Sequence, residues 1–258
     1  MTPAEVAHRD ARRLAVVLRE IGGDGAALGS HGWMACDLDG SWADYAAGLG
    51  VDGPVSDSTL DRLVEFYRAR GRTPKIQVTP YQHPSLLEGL ERRGFTVYEA
   101  ETVLWRPLLE LPPVAAPNSL AFLPVDPASP ASCSAFRDSQ FAGFFADREV
   151  PTGMGPITDR VARGPRSHLT LLQLDGSPAG SGGIEPYESV AVLIAGCVHP
   201  EARRRGVQSA FIRYRLHQAA ALGATYATIG STPGGPTERN ALRCGFRPAY
   251  TQTGLRQL

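Results

Sequence analysis

The chain has 258 residues, 43% hydrophobic and 20% charged, and its 26 Lys plus Arg balance 26 Asp plus Glu to a formal net charge of zero. A chain of this size and apolar content buries one large core or two small ones. Charge balance excludes bulk electrostatic attraction to nucleic acid or an anionic membrane, and leaves anion binding to local basic segments.

Cys36, Cys133, Cys197 and Cys244 lie far apart with no Cys-x-x-Cys pair, which argues against a zinc site or a disulfide framework and fits a reducing cytoplasm. The N-terminal MTPAEVAHRDARRLAVVLREIGG carries charges through the place where a secretory signal needs its apolar centre, and no run is long enough to span a bilayer. Further on, GLGVDGPVSDSTLDRL leads into a helical pattern from Thr59 to Arg70, with Leu60, Leu63, Val64, Phe66 and Tyr67 on one face and Asp57 or Ser58 suited to the N-cap. Gly71 ends that helix, Lys75 to Thr79 reads as a strand, and HPSLLEGLERRGF closes on Gly94-Phe95 before a terminal strand. His31, Trp33, Tyr45, His83 and Trp105 are read first as packing or surface residues and second as the wall of a cleft.

The Pro-rich RPLLELPPVAAPNSLAFLP then divides the chain, with a linker at 107–119 between a first part, 1–106, and a second, 120–258. In the second part, SPASCSAFRDSQFAGFFADREV is helix-like, and Phe136, Phe141, Phe144 and Phe145 around Gly143 read as core first and pocket second. Leu169 to Leu174 is a strand, Asp175-Gly176 a hairpin turn, and Ala179 to Glu185 the next strand. Gly180, Gly182 and Gly183 weaken that strand, as if another backbone or a substrate lies close. Val190 to Val198 reads as a buried strand stopped by Pro200, and Gly206 opens a helix from Val207 to Leu222. A strand from Thr225 to Gly230 and then PTERNALRCGF follow, closing on Gly245-Phe246. The order helix, glycine, strand, helix, Gly-Phe thus occurs in both parts.

The segment Cys197 to Ala210, CVHPEARRRGVQSA, reads as strand, basic glycine-containing turn and helix start in immediate succession. That is an anion cradle. The first N–H groups of a helix have no intrahelical partner, and the macrodipole puts partial positive charge at the same end. Arg203, Arg204 and Arg205 add full charges, and Gly206 lets a ligand approach without a Cβ in the way. Three arginines in a loop are ordinarily a solvated face; the strand before, the proline, the glycine and the amphipathic helix after set this run apart.

These residues resemble the acyl-coenzyme A signature of the GNAT N-acetyltransferases, Arg/Gln-x-x-Gly-x-Gly/Ala, at Arg203 and Gly206, with Gln208 where the family has a small residue. The resemblance implies an α/β fold with a mixed sheet, the acyl-CoA N-acyltransferase fold, in two tandem copies. It also implies acetyl-CoA as cosubstrate, held by Cys197, Val198, His199, Arg203, Arg204, Arg205, Gly206, Val207, Gln208 and Ser209, with Asn240 reaching the pantetheine arm. In the family the strand after the signature helix splays away from its neighbour, and the backbone of Cys197 to His199 is expected to donate an N–H to the thioester carbonyl as the splayed strand does there. The first part carries Asp52, Asp57 and Asp61 where the second has arginines, which would repel a pyrophosphate, and it reads as a degenerate copy.

Acetyl transfer to an amine requires a neutral nucleophile, a donor for the developing oxyanion and a proton path. Family members often place a glutamate on the strand before the signature, but the position five before Val198 is Leu193, so Glu185 becomes the candidate base and Glu188 the second choice, either of which is otherwise a solvated carboxylate. Many relatives carry a tyrosine acid four residues before the Gly-Phe pair; that position is Ala241, which leaves Tyr250, Tyr214 or water. Cys197 and Cys244 read as small buried apolar residues rather than nucleophiles. The expectation is a cytoplasmic, metal-free N-acetyltransferase acting on the primary amine of a small molecule or peptide, compatible with a homodimer and without nucleic acid or membrane as partner. A non-catalytic acyl-CoA-binding or interaction protein is the alternative, while a nucleic-acid module conflicts with the neutral charge and the lack of aromatics among the arginines.

Overall fold

The computed structural model describes residues 1–258 and divides into two compact units, Met1–Thr102 with Ala249–Leu258, and Val103–Pro248. The first unit opens with α1 (Pro3–Ile21), an amphipathic helix in the segment read above only for its charges. Thr2 and Glu5 close a capping box at its start, and Val6, Ala7, Leu14 and Leu18 are buried along one side. Then come β1 (Asp24–Leu28), β2 (Gly32–Cys36), β3 (Ala46–Ala47), α2 (Asp57–Arg68), β4 (Lys75–Val78), α3 (Pro84–Arg92) and β5 (Phe95–Pro107). Helices α2 and α3 bury Leu60, Leu63, Phe66, Tyr67, Leu86 and Leu90 against Ile76 and Val78, each contributing about 1.5 to 3 kcal/mol. Ser56, rather than Asp57 or Ser58, caps α2 by accepting from Thr59 N at 3.2 Å. Asp57 instead pairs with Arg92 and Arg93 at 3.0 and 2.9 Å.

The second unit contains β6 (Leu120–Pro124), α4 (Pro130–Phe144), α5 (Met154–Ala162), β7 (His168–Leu174), β8 (Ser177–Tyr187), β9 (Val190–Val198), α6 (Val207–Ala221), β10 (Tyr226–Ser231) and α7 (Pro236–Arg243). The tail of the Pro-rich stretch is therefore a strand, paired antiparallel with β7. Strand order among these elements is β10-β9-β8-β7-β6, with β9 and β10 parallel. Ser181 touches Gln140 of α4, while the direction of a Cβ at the next residue, Gly182, leads to Phe211 of α6, so the two helices cover opposite faces. No helix of the chain is long and apolar enough to cross a membrane.

The last strand, β11 (Arg247–Gln257), returns to the first unit, whose order is β1-β2-β3-β4-β11-β5. It pairs antiparallel with β4 from Thr253↔Val78 to Arg256↔Lys75. The Pro-rich division assigns these C-terminal residues to the second part; the compact units place them with the first, because an edge partner for a strand is a non-local choice that punctuation in the sequence does not reveal.

Candidate functional site

The second unit's sheet opens in the middle of β9. Pairing with β10 runs from Val190↔Tyr226 to Leu193↔Ile229, and just beyond it Ala195 takes a φ of 51°. There the β8–β9 register slips, so that Ala195 and Gly196 oppose Gly182 alone. A bulge re-aims a strand, and here it coincides with the point where β9 leaves β10. The glycines of β8 make this possible. A Cβ at Gly182 would fall 2.8 Å from Gly196 Cα, and one at Gly180 would fall 2.3 Å from Cys197 O. What lies close to these glycines is the neighbouring backbone.

Beyond the bulge the backbone of β9 is directional. His199 N donates to Ala179 O at 2.9 Å, toward β8. Alternate residues of a strand aim their polar groups at opposite edges, so the N–H of Val198 faces the opened side. Its carbonyl confirms that direction by accepting from Arg203 Nε at 3.2 Å. His199 is committed elsewhere: its Nε2 lies 2.9 Å from Ser139 Oγ and 3.0 Å from Ser139 O. Cys197 Sγ is buried among Ser181, Gln140 and Ser139, and burial raises its thiol pKa, which suits packing rather than nucleophilic chemistry.

The loop and helix then complete a depression of about 760 Å³ lined by Val198, Arg203, Arg204, Gly206, Gln208 and Asn240, among others. Arg204 and Gly206 adopt φ of 61° and 77°, which turn the chain into α6. A Cβ at Gly206 would meet nothing, so its glycine is required by backbone conformation. No side chain caps α6, nor α5 or α7, whereas α1, α2, α3 and α4 are capped by Thr2, Ser56, His83 and Ser129. Its first N–H groups stay available to an anion. Arg203 also donates to Gly143 O at 3.3 Å. Arg205 does not join them; its Nη2 donates to Asp175 Oδ2 at 2.7 Å on the β7–β8 turn. Asn240 Nδ2 donates to Gln208 Oε1 at 2.5 Å, and Gln208 Nε2 to Thr237 Oγ1 at 3.0 Å, so Gln208 ties α6 to α7.

Of the phenylalanines, Phe136 is core and Phe144 lines the depression. Glu185 is 4% exposed and opposes Val192, which in turn opposes Thr228, one row before the strands part. Ile184 packs with Ile212 and Leu216 of α6, so Glu185 faces the α4 side, where Ser167 Oγ donates to its Oε1 at 3.4 Å. Glu188 sits exposed in the β8–β9 turn with φ 52°. Ala241 is fully buried. Tyr214 stacks on Phe122 at 4.1 Å and accepts from Gln218, away from the depression's wall. Tyr250 belongs to the first unit, donates to Asp10 Oδ2 at 3.1 Å and has its pKa pushed well up by burial.

Sequence reading missed Arg215. It is 2% exposed on α6 beneath the bulge, 4.2 Å over the Phe211 ring, and its Nη1 donates to Ile194 O at 3.3 Å and Gly183 O at 3.4 Å. Burial lowers its pKa to about 9. The signal was present as one arginine among Phe211, Ile212, Leu216 and Ala219 on the helix's apolar face.

Residues 131–246 match the Acetyltransferase (GNAT) family profile. Among solved structures, a GCN5-related N-acetyltransferase from Kribbella flavida is similar at 18% identity, covering 96% of this chain and 95% of that one, with a TM-score of 0.68. A GCN5-related N-acetyltransferase from Sphaerobacter thermophilus shares 16% identity over 100% and 93% of the two chains, TM-score 0.61. A tandem GNAT protein from the clavulanic acid biosynthesis pathway shares 14% over 99% and 96%, TM-score 0.60. These are likenesses of fold. No curated protein sequence matched.

Proposed function

Since residues 131–246 form a GNAT acetyltransferase domain, we propose that this chain transfers acetyl from acetyl-CoA to the primary amine of a small molecule or peptide in the cytoplasm. The observation that carries the reading is the coincidence of three features on one depression: the parted β9, the uncapped start of α6, and the side chains of Arg203, Arg204 and Asn240. Acetyl-CoA supplies the activated acyl group and a thiolate leaving group. Arg203, Arg204 and the first turn of α6 neutralise and orient its phosphates, each charge-assisted hydrogen bond contributing about 1.5 to 3 kcal/mol. Asn240, oriented by Gln208, holds the amide arm. In this reading the Val198 N–H donates to the thioester oxygen as negative charge develops there. Glu185, on the row beside the opening, takes the ammonium proton directly or through one water.

We read the first unit as a degenerate copy without a donor site. Its loop ahead of α2 carries Asp52, paired with Arg12 and His31, where the second unit carries arginines. One acetyl-CoA per chain is therefore expected. A second reading, an acyl-CoA binder without turnover, is favoured by buried Ala241 at the family's acid position and by Tyr250 being bound to Asp10. The two separate by incubating the full chain with acetyl-CoA and a panel of primary amines while following free thiol. Amine-dependent thiol release supports the transferase; acetyl-CoA binding with no release for any amine overturns it in favour of the binder.

A further inference from the structure

The first unit has a depression of its own, of about 460 Å³. Ile76 and Val78 of β4 face α2 and α3 in the core, so Lys75 and Gln77, which alternate with them, face the other way and form part of its floor. The wall is acidic and aromatic. Asp44, Glu99 and Glu101 line it against one cation, Lys75, and Trp42 and Tyr98, 39% and 38% exposed, stand beside them.

Its buried polar atoms point to the kind of ligand it takes. Asp44 is 8% exposed, yet its Oδ1 has no hydrogen-bond partner, and its Oδ2 is 3.8 Å from Lys75 Nζ, beyond hydrogen-bond reach. Gln77 Oε1 in the same wall is also buried without a partner. Both orphans are acceptors, and a buried acceptor lacking a donor is costly. Lys75 and Arg72 already face Asp44 electrostatically, and a ligand with N–H donors would satisfy both orphan acceptors. No group of three His, Cys, Asp or Glu side chains is arranged to hold a metal ion, whereas an ammonium head offers several N–H donors; the ring face of Trp42 attracts an organic cation, as that of Tyr98 already does for Arg256, 5.8 Å from its centroid.

We propose that this depression binds a small organic ammonium ion, with Asp44 and Gln77 accepting its N–H groups and Glu101 and Glu99 balancing its charge. Every residue named belongs to the first unit, so the site stands independently of the acetyl-transfer reading. Binding is proton-linked. Glu101 is pushed up to about 7 by burial first, then by Asp10 of α1 and Glu99, against Arg13 of α1. Asp44, Lys75, and Gln252 of β11, which donates to Glu101 Oε2 at 3.4 Å, complete its surroundings together with the Tyr45 and Tyr250 hydroxyls. A bound cation favours ionised Glu101, so affinity falls as pH drops below about 7.

The test titrates the full chain with benzylammonium and 1,4-diaminobutane, and with benzyl alcohol as the neutral isostere, by calorimetry and Trp42 fluorescence. At least one ammonium probe binds and benzyl alcohol does not; Asp44→Asn and Glu101→Gln each weaken binding by about tenfold or more, the scale of one charge-assisted hydrogen bond; and Glu101→Gln loses the pH dependence. Equal binding of benzyl alcohol, binding of neither ammonium at millimolar concentration, or unchanged affinity in both variants overturns the proposal. If circular dichroism shows that Asp44→Asn does not fold, the near-isosteric Glu101→Gln decides alone.

Discussion

Arg215 shows how one residue sets stability against geometry. A guanidinium 2% exposed, with two long carbonyl contacts and an unpartnered Nε, carries a desolvation cost that those contacts only partly offset. Arg215→Met fills the same space without charge and is expected to raise stability by about 1 to 4 kcal/mol, while freeing the Ile194 carbonyl and lowering turnover. Urea unfolding and thiol release check the two halves; a less stable variant with full activity would contradict both. Two glycines are required by conformation, and at the second crowding adds to it, since Gly182 also takes a positive φ of 157°. Gly206→Ala places a side chain at φ 77° in open space and should cost about 1 to 2 kcal/mol. Gly182→Ala pushes a Cβ into Gly196 Cα at 2.8 Å and should cost about 3 kcal/mol or more.

At the scale of elements, the site is made by how β9, α6 and α7 meet. The bulge at Ala195 and Gly196 ends the parallel pairing with β10, and α4 presses on the same strand so closely that a Cβ at Gly143 would lie 2.5 Å from Cys197 Sγ. Helix α7 is fixed to α6 through Gln208, which bonds both Thr237 and Asn240. Asn240→Ala should therefore weaken acetyl-CoA binding by about 1 kcal/mol, or roughly fivefold, the net worth of a typical hydrogen bond. Calorimetric affinity equal to wild type would remove Asn240 from the donor site. Because Arg205 pairs with exposed Asp175, Arg205→Ala should change that affinity less than Arg203→Ala or Arg204→Ala does.

For the whole molecule, pH dependence comes from groups with opposed signs. Glu101 has its pKa raised from 4.5 to about 7, so the folded state holds its proton more tightly than the unfolded chain. That stabilisation is complete below about 4.5 and is lost as pH rises through about 7, at most roughly 3 kcal/mol. Asp24 and Asp57 are lowered by hydrogen bonds from Arg70 and Arg93, so their contribution is present above 3.8 and is lost on acidification. Stability should peak near about pH 5. Urea midpoints at pH 5 and pH 8 test this, and Glu101→Gln should flatten the fall between them; a wild-type midpoint that rises toward pH 8 would reverse the assigned sign.

Local chemistry was legible in the chain itself. Val190–Val198 reads as a strand and is β9, and the turn to α6 with its glycine and arginines lies where the spacing places it. Such features depend on residues a few positions apart: apolar β-branched runs, proline stops and the positive φ that glycine permits. Partner choice was not legible. Arg205 turning to Asp175, Arg215 sinking beneath the bulge, Tyr250 donating to Asp10 and β11 pairing with β4 join residues from 21 to 240 positions apart. In the first unit, Asp44, Gln77 and Glu101 share one wall only because β11 enters between β4 and β5. Periodicity fixes which face a side chain takes, but which strand lies beside it follows from burying the assembled core and satisfying every edge.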